Sequence, residues 1–206
     1  MDKKLHRHFI TTAATFSTQL ATDIKSAGPV IIPNRKHQGI GEFLSRVIIG
    51  QQLSTKAAAT IWGRVRTAAT AEHTRVIDFF HEQNTDALRA CGVSGNKAKA
   101  LLAIRAALDE GKLNTRRMNR LSSAERHEVL TGIHGVGRWT ADMAAIFFFA
   151  EEDVWPDGDL SVVKVFDRYL NKRQSKNPAK HVANFAPHRS YLAYYMWQLA
   201  DVVPAE

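Results

Sequence analysis

Apolar residues recur along most of the chain at intervals of three and four residues, which is the spacing of an amphipathic α-helix. The spacing predicts helices over residues 1–25, over residues 39–66 with a break near residue 51, twice over residues 77–108, on both sides of residues 135–137, from residue 160, and over residues 191–199. No stretch gives a convincing strand pattern of alternating apolar and polar residues. The sequence therefore predicts an all-α fold.

Charge and cysteine content narrow the class of protein. The chain of 206 residues has 28 Lys and Arg against 20 Asp and Glu, a formal net charge of +8 that favours a polyanionic partner such as nucleic acid. Its longest apolar run, residues 143–150, is far shorter than the ~18 residues of a membrane span. The N-terminal segment does not fit a signal peptide, so we expect an intracellular protein with no membrane partner. The single cysteine, Cys91, excludes an internal disulfide and a Cys-ligated iron–sulfur cluster.

Two glycines mark a tight turn between two predicted helices. Gly135 and Gly137 bracket Val136, and without a Cβ atom both can adopt a positive φ and allow another chain to approach closely. The helix that starts at Arg138 has initial N–H groups without partners inside the helix, and such groups suit a phosphate. An ordinary turn between two helices, with glycine as C-cap, has the same pattern. The turn alone leaves both interpretations open.

Four segments, in order along the chain, resemble the helix-hairpin-helix DNA glycosylase superfamily, and specifically its 3-methyladenine DNA glycosylase (AlkA-type) branch. The matching segments are GQQLS at 50–54 for the family's GQQ-S, LTGIHGVGRWTA at 130–141 for the hairpin, VWPDGDL at 154–160 for FP-x-x-D, and FAPHRS at 185–190 for W-x-P-x-R-S. The resemblance implies one glycosylase domain over residues 1–206, without the extra N-terminal β-domain of some members. It also implies two helical lobes with a DNA- and base-binding cleft between them.

Asp159 is the predicted catalytic residue. It stands directly before an apolar helix, so we expect it near the helix N-cap, where unpaired N–H groups favour a carboxylate. A carboxylate beside the sugar can stabilise the positive charge that develops as a base leaves, and it can orient the attacking water. Asp157, Asp153 and the more distant Asp142 are rivals. A purely structural N-cap is the alternative for Asp159.

The resemblance also implies a substrate and a reaction type. Strand-cleaving members of the superfamily carry a catalytic lysine where this chain has Trp139, and an indole cannot form a Schiff base. We therefore expect a monofunctional enzyme of base excision repair, a monomer that flips an alkylated purine such as 3-methyladenine or 7-methylguanine out of damaged double-stranded DNA. It would hydrolyse the N-glycosidic bond and leave an abasic site.

Further residues receive roles from the same resemblance. Gln52, with Leu53 as competitor, would wedge into the hole left by the flipped nucleotide, unless both residues are merely solvent-facing. Lys97 would contact a phosphate, unless it is only a charge at a solvated helix start. The residues expected to bind DNA are Gln52, Leu53, Lys97, Ile133, Gly135, Val136, Gly137 and Thr140. The residues expected to line the base pocket are Trp139, Met143, Trp155 and Phe185, with core packing as the alternative for Trp139 and Met143.

No cofactor is expected. The family resemblance adds only a monovalent cation, held by backbone carbonyls of Ile133 and Val136 rather than by side chains.

Two other functions fit parts of the pattern. A non-catalytic helix-hairpin-helix DNA-binding protein would keep Gly135 and Gly137 but would not need Asp159. A glycosylase for oxidised or mismatched bases would share the fold and the aspartate but differ in its pocket. Phe185 and His188 depart from the family pattern, which has Trp at the first position and commonly an aromatic at the second, so they bear on lesion preference.

Overall fold

A computed structural model describes residues 1–200 of the chain. Within these residues the secondary structure consists of helices and turns without a strand, so the all-α prediction is confirmed. The α-helices are α1 Lys3–Ala14, α2 Thr18–Ala27, α3 Ile40–Gly50, α4 Thr55–Ala71, α5 Thr85–Ala90, α6 Gly95–Asp109, α7 Thr115–Met118, α8 Ser123–Thr131, α9 Arg138–Met143, α10 Leu160–Asp167, α11 Pro178–Ala183 and α12 Arg189–Leu199. A π-helical turn, Ala144–Phe148, continues α9.

The helices form two compact units. Among the described residues, the first unit contains Met1–Pro33 and residues 150–200, so it is built from α1, α2 and α10–α12. The second unit is the continuous segment Asn34–Phe149, which contains α3–α9 and the π-helical turn.

An aromatic core holds the first unit together. The ring centroids of Phe9 and Phe185 are 5.0 Å apart, and Phe16 packs against both Phe166 and Phe185. The hydroxyl of Tyr195 donates to the Gly28 carbonyl at 2.8 Å, so α12 is tied to the end of α2. Burying such rings removes large apolar areas from water and is the main stabilising contribution to a unit of this kind.

The single helix predicted over residues 1–25 is wrong, because the structure has two helices there. Helix α1 ends before Thr15, and Ser17 is the N-cap of α2, its hydroxyl accepting from the Leu20 N–H at 3.3 Å. Serine is among the best N-cap residues because its oxygen satisfies a helix N–H that has no partner within the helix. The apolar spacing continues across the break, so periodicity alone did not reveal it.

Helix α3 is the central element of the second unit. It packs against α4, α6, α9 and the π-helical turn, and its Phe43, Leu44 and Ile48 are buried.

Residues 77–108 contain more interruptions than the two predicted helices allow. Two 3-10 turns, Val76–Phe79 and Glu82–Asn84, precede α5, and α6 follows it. Among the described residues, no helix has the length and apolar character needed to cross a membrane.

Candidate active site

Asp159 is the N-cap of α10, as predicted. Its Oδ1 accepts hydrogen bonds from the backbone N–H of Ser161 at 2.9 Å and of Val162 at 3.0 Å. The residue is only 7% exposed. Two helix N–H donors therefore hold one oxygen of a nearly buried carboxylate at the positive end of the helix dipole.

The other oxygen of Asp159 has a partner that the sequence did not reveal. Oδ2 accepts from the indole Nε1 of Trp197 at 3.2 Å, and Trp197 is completely buried in α12. Helices α10 and α12 pack against each other, which brings together two residues that are 38 positions apart in the chain. Because a buried indole N–H needs an acceptor, this bond satisfies Trp197 and also fixes the orientation of the carboxylate.

The rival aspartates have different surroundings. Asp153 forms a bidentate ion pair with Arg189. The Arg189 Nε donates to Oδ1 at 2.7 Å, and its Nη2 donates to Oδ2 at 2.9 Å. The hydrogen bond from Arg189 lowers the pKa of Asp153. Asp142 belongs to the second unit, where its Oδ1 lies 3.6 Å from Nε2 of His127. Asp157 lies on an exposed turn. Asp153 is thus committed to an internal ion pair, and only Asp159 caps the apolar helix.

The loop that leads to Asp159 is held by the start of α12. Ser190 is fully buried; its hydroxyl donates to the Glu151 carbonyl at 2.6 Å and accepts from the Val154 N–H at 3.0 Å. The imidazole Nδ1 of His188 lies 2.9 Å from a carboxylate oxygen of Glu152. Together with the Arg189 ion pair, these bonds give the FAPHRS segment a structural role: it anchors residues 151–154 just upstream of Asp159.

The hairpin, residues 133–137, has one glycine with a positive φ rather than the two allowed by the sequence. Gly135 has φ +83°, and a Cβ at that position would collide with the side chain of Ala100 in α6. Gly137 is the N-cap of α9 with an extended φ of −87°, and a Cβ there would meet open space. Both glycines are exposed, whereas Ile133 and Val136 are buried. The hairpin therefore anchors itself through its apolar side chains and presents backbone to the solvent.

Thr140 does not present its side chain as expected of a DNA contact. It is 1% exposed, and its hydroxyl accepts from the side-chain amide of Gln51 at 2.9 Å. This bond joins α9 to the turn that follows α3, so the Thr140 side chain is an internal link.

The loop Gly50–Ser54 carries the two candidate wedge residues. Gln52 and Leu53 are both exposed, Leu53 to 39%. Gln52 has φ +59°, a left-handed conformation that a residue with a Cβ rarely adopts. Ser54 is the N-cap of α4, its hydroxyl accepting from the Ala57 N–H at 3.3 Å.

Lys97 has internal partners. Its ammonium donates to the backbone carbonyls of Ile49 and Gln51, both at 2.8 Å, and burial lowers its pKa. The carbonyls lie at the C-terminal end of α3, where helix oxygens lack intrahelical partners and attract a cation. In the structure this charge therefore holds the end of a helix, and the phosphate contact suggested by the sequence stays a prediction.

Two of the four predicted pocket residues are core residues. Phe185 is 1% exposed within the aromatic core of the first unit, which corrects its assignment to a base pocket, and Met143 is completely buried. Trp139 and Trp155 are half-buried, and the Trp155 ring meets Phe166 edge-on at 5.4 Å. An aromatic residue at helical spacing fits a core as well as a pocket, so the sequence could not separate the two.

No protein-family model matches the chain. It is 37% identical over 173 residues to DNA-3-methyladenine glycosylase 1 of Schizosaccharomyces pombe, an alignment that covers 78% of this chain and 72% of the relative.

Solved structures give the same picture. The structure of the S. pombe 3-methyladenine DNA glycosylase Mag1 in complex with abasic DNA matches with a TM-score of 0.81 and 28% identity, covering 99% of this chain and all of the other. The DNA-3-methyladenine glycosidase of Bacillus halodurans matches with a TM-score of 0.74 and 27% identity, over 93% of this chain and 88% of that protein.

Proposed function

Because the chain belongs to the DNA-3-methyladenine glycosylase family, we infer that it is a DNA glycosylase of base excision repair that excises alkylated bases. We further propose that its substrates are alkylated purines in damaged double-stranded DNA, and that it acts as an intracellular monomer. The chemistry is hydrolysis of the N-glycosidic bond, which leaves an abasic site.

The geometry of Asp159 is the observation that supports this chemistry most strongly. Its carboxylate is nearly buried, is bonded by two helix N–H groups and an indole N–H, and stands at a position that matches the family's FP-x-x-D motif. A carboxylate fixed in this way needs little reorganisation when positive charge develops beside it, and preorganised charge is commonly the largest contribution to catalysis.

The reaction requires that the target nucleotide leaves the base stack, because C1′ is inaccessible inside a duplex. Once the nucleotide is flipped, Asp159 stabilises the positive charge that spreads over C1′ and the ring oxygen as the bond to the base breaks. It also orients the water that attacks C1′. An alkylated purine is already cationic and departs as a neutral base, so the reaction does not depend on a strong general acid.

Trp139 supports a monofunctional reaction. A strand-cleaving glycosylase attacks the sugar with an amine and passes through a Schiff base, and an indole nitrogen cannot do this. The half-buried rings of Trp139 and Trp155 are the remaining candidates for stacking on a cationic base. Since stacking tolerates variation in the lesion, we propose a broad range of alkylated purines.

The hairpin and the loop Gly50–Ser54 supply the proposed DNA contacts. Exposed backbone at Gly135 and Gly137 suits a phosphate at the start of α9, and Gln52 or Leu53 would fill the gap in the duplex. Backbone carbonyls of Ile133 and Val136 would hold a monovalent cation near the same phosphate. The Ile133 carbonyl accepts from the Val136 N–H at 3.0 Å, which leaves its second lone pair for such an ion.

The proposal is tested with duplexes that each carry one lesion: 3-methyladenine, 7-methylguanine, an oxidised purine or a mismatch. We expect release of the free alkylated base, with the strand left intact until alkali cleaves it at the abasic site. Strand cleavage without alkali would contradict a monofunctional reaction. Release of only oxidised or mismatched bases would show that the enzyme is specific for those lesions instead. DNA binding with no base release from any duplex would indicate a non-catalytic binding protein.

A further inference from the structure

The first turns of α6 contact both elements proposed to bind DNA. Ala100 lies against Gly135 so closely that the hairpin has no room for a Cβ there. One helical turn earlier, Lys97 donates to the carbonyls of Ile49, in the last turn of α3, and of Gln51, the residue before Gln52. Residues three apart lie on the same face of a helix. One face of α6 therefore supports the hairpin and the loop Gly50–Ser54 together.

Lys97 forms the hydrogen bonds that join α6 to the end of α3, just before the loop Gly50–Ser54. Both of its hydrogen bonds are 2.8 Å long and join a charged donor to carbonyls at the end of α3. Such bonds are stronger than those between neutral groups, and the helix dipole adds to them. They occupy two of the three ammonium donors, and the side chain is half-buried.

Gln51 is consequently held at two points. Lys97 binds its carbonyl, and its side-chain amide donates to the buried hydroxyl of Thr140 in α9. The next residue, Gln52, has φ +59°. A non-glycine residue persists in that region only when its neighbours hold it there, and the two bonds to Gln51 provide such a restraint.

We propose that Lys97 is a positioning residue for base flipping: it fixes the loop Gly50–Ser54 relative to the hairpin, so that Gln52 meets the gap left by the extruded nucleotide. This inference rests on the proposed function. Lys97 acts through the loop and does not neutralise a phosphate.

The two roles of Lys97 predict different responses to salt. A lysine that neutralises a phosphate contributes ~0.9 to the slope of log Kd against log salt concentration. A lysine bound to carbonyls inside the protein contributes nothing to that slope. Its loss instead loosens the loop and reduces the extent of flipping.

The test compares Lys97→Met with Lys99→Met, which removes the same charge from an exposed position two residues further along α6. Flipping is followed by the fluorescence of 2-aminopurine placed next to a lesion in a duplex. Binding is measured on undamaged duplex over a range of salt. Excision is measured under single-turnover conditions.

We expect Lys97→Met to lower the flipping signal and the duplex excision rate by about 10-fold or more, with an unchanged salt slope. Lys99→Met should flip and excise the base like the native protein.

Thr140→Val keeps the shape and charge of the site but removes the acceptor for Gln51, and we expect a reduction in flipping of about 3-fold. Because it changes no charge, it separates the positioning role from any phosphate contact.

A salt slope lowered by ~0.9 in Lys97→Met would assign the lysine to a phosphate and overturn the proposal. Native-like flipping by both Lys97→Met and Thr140→Val would also overturn it. The native protein serves as the reference for the proposed function: if it releases no alkylated base, that function fails. If it excises normally and only the Lys97 results disagree, the positioning role alone fails.

Discussion

The Asp159 carboxylate has two duties that one substitution can separate. As an N-cap it satisfies the Ser161 and Val162 N–H groups, and in the proposed reaction its charge stabilises the sugar as the base leaves. Asparagine is as good an N-cap as aspartate, so Asp159→Asn keeps the cap while removing the charge. Its side-chain NH2 cannot accept from the Trp197 indole, so the variant also loses that hydrogen bond. The indole of Trp197 donates to the second oxygen, so its removal disturbs the orientation of the carboxylate without removing its charge.

Trp197→Phe is expected to lower the single-turnover excision rate by about 10-fold or more, because a hydrogen bond to a charged group contributes ~1.5–3 kcal/mol. Affinity for damaged duplex should stay within about 3-fold of native. The matched control is Trp62→Phe, which removes a buried indole from the second unit, where Arg46 lies over the ring. If both variants lose excision equally, the effect is general destabilisation and Trp197 has no particular role.

At the scale of the secondary-structure elements, the two glycines of the hairpin are expected to respond differently to substitution. Gly135→Ala should destabilise the fold by about 2–4 kcal/mol, since the new Cβ meets Ala100 at a positive φ. Gly137→Val meets open space at an ordinary φ and should cost less than about 1 kcal/mol. It should nevertheless weaken binding to every duplex by about 10-fold, because a bulky side chain blocks the close approach of a phosphate.

Denaturant unfolding and duplex binding measure these effects. Native-like affinity of Gly137→Val for DNA would show that the start of α9 does not contact the backbone. A fully stable Gly135→Ala would contradict the close packing of the hairpin on α6.

The ion pair between Asp153 and Arg189 gives the loop before Asp159 a dependence on pH. Arg189 lowers the pKa of Asp153 in the folded protein, so the pair stabilises the fold above the usual aspartate pKa near 4 and loses its effect as the pH falls through the lower folded value. Both side chains are about one-third exposed, so solvent limits the gain.

Asp153→Asn is therefore expected to lower Tm by about 2–4 °C at pH 7, and the difference from native should shrink below about pH 4. Asp157→Asn, an exposed change in the same loop, serves as the control and should alter Tm by less. A difference between native and Asp153→Asn that is the same at pH 7 and pH 3 would contradict this account of the ion pair. The measurement is thermal unfolding followed by circular dichroism.

For the whole molecule, features that depend on nearby residues were predictable from the sequence. The all-α fold follows from apolar spacing, and the N-cap at Asp159 follows from a capping residue just before an apolar stretch. The N-cap at Ser17 has the same local signal, but the apolar residues that continue across it predict one helix instead of two.

Features that depend on tertiary contacts were not predictable. Nothing near Trp197 in the sequence indicates that it meets Asp159, and a lysine near the start of a helix fits a phosphate as well as the carbonyls that Lys97 binds. Phe185 has the spacing of either a pocket or a core residue, and packing against Phe9 decided for the core. Only the folded chain distinguishes such alternatives.

The central claim, that the charge on Asp159 drives base excision, is tested most directly by single-turnover kinetics of Asp159→Asn on a duplex with one 7-methylguanine, together with its affinity for that duplex. We predict a rate lower by about 100- to 1,000-fold, the size of effect seen when a preorganised electrostatic group is removed. Affinity should remain within about 3-fold of native, because the cap of α10 is preserved. A folded Asp159→Asn variant that releases the base at the native rate would contradict the account.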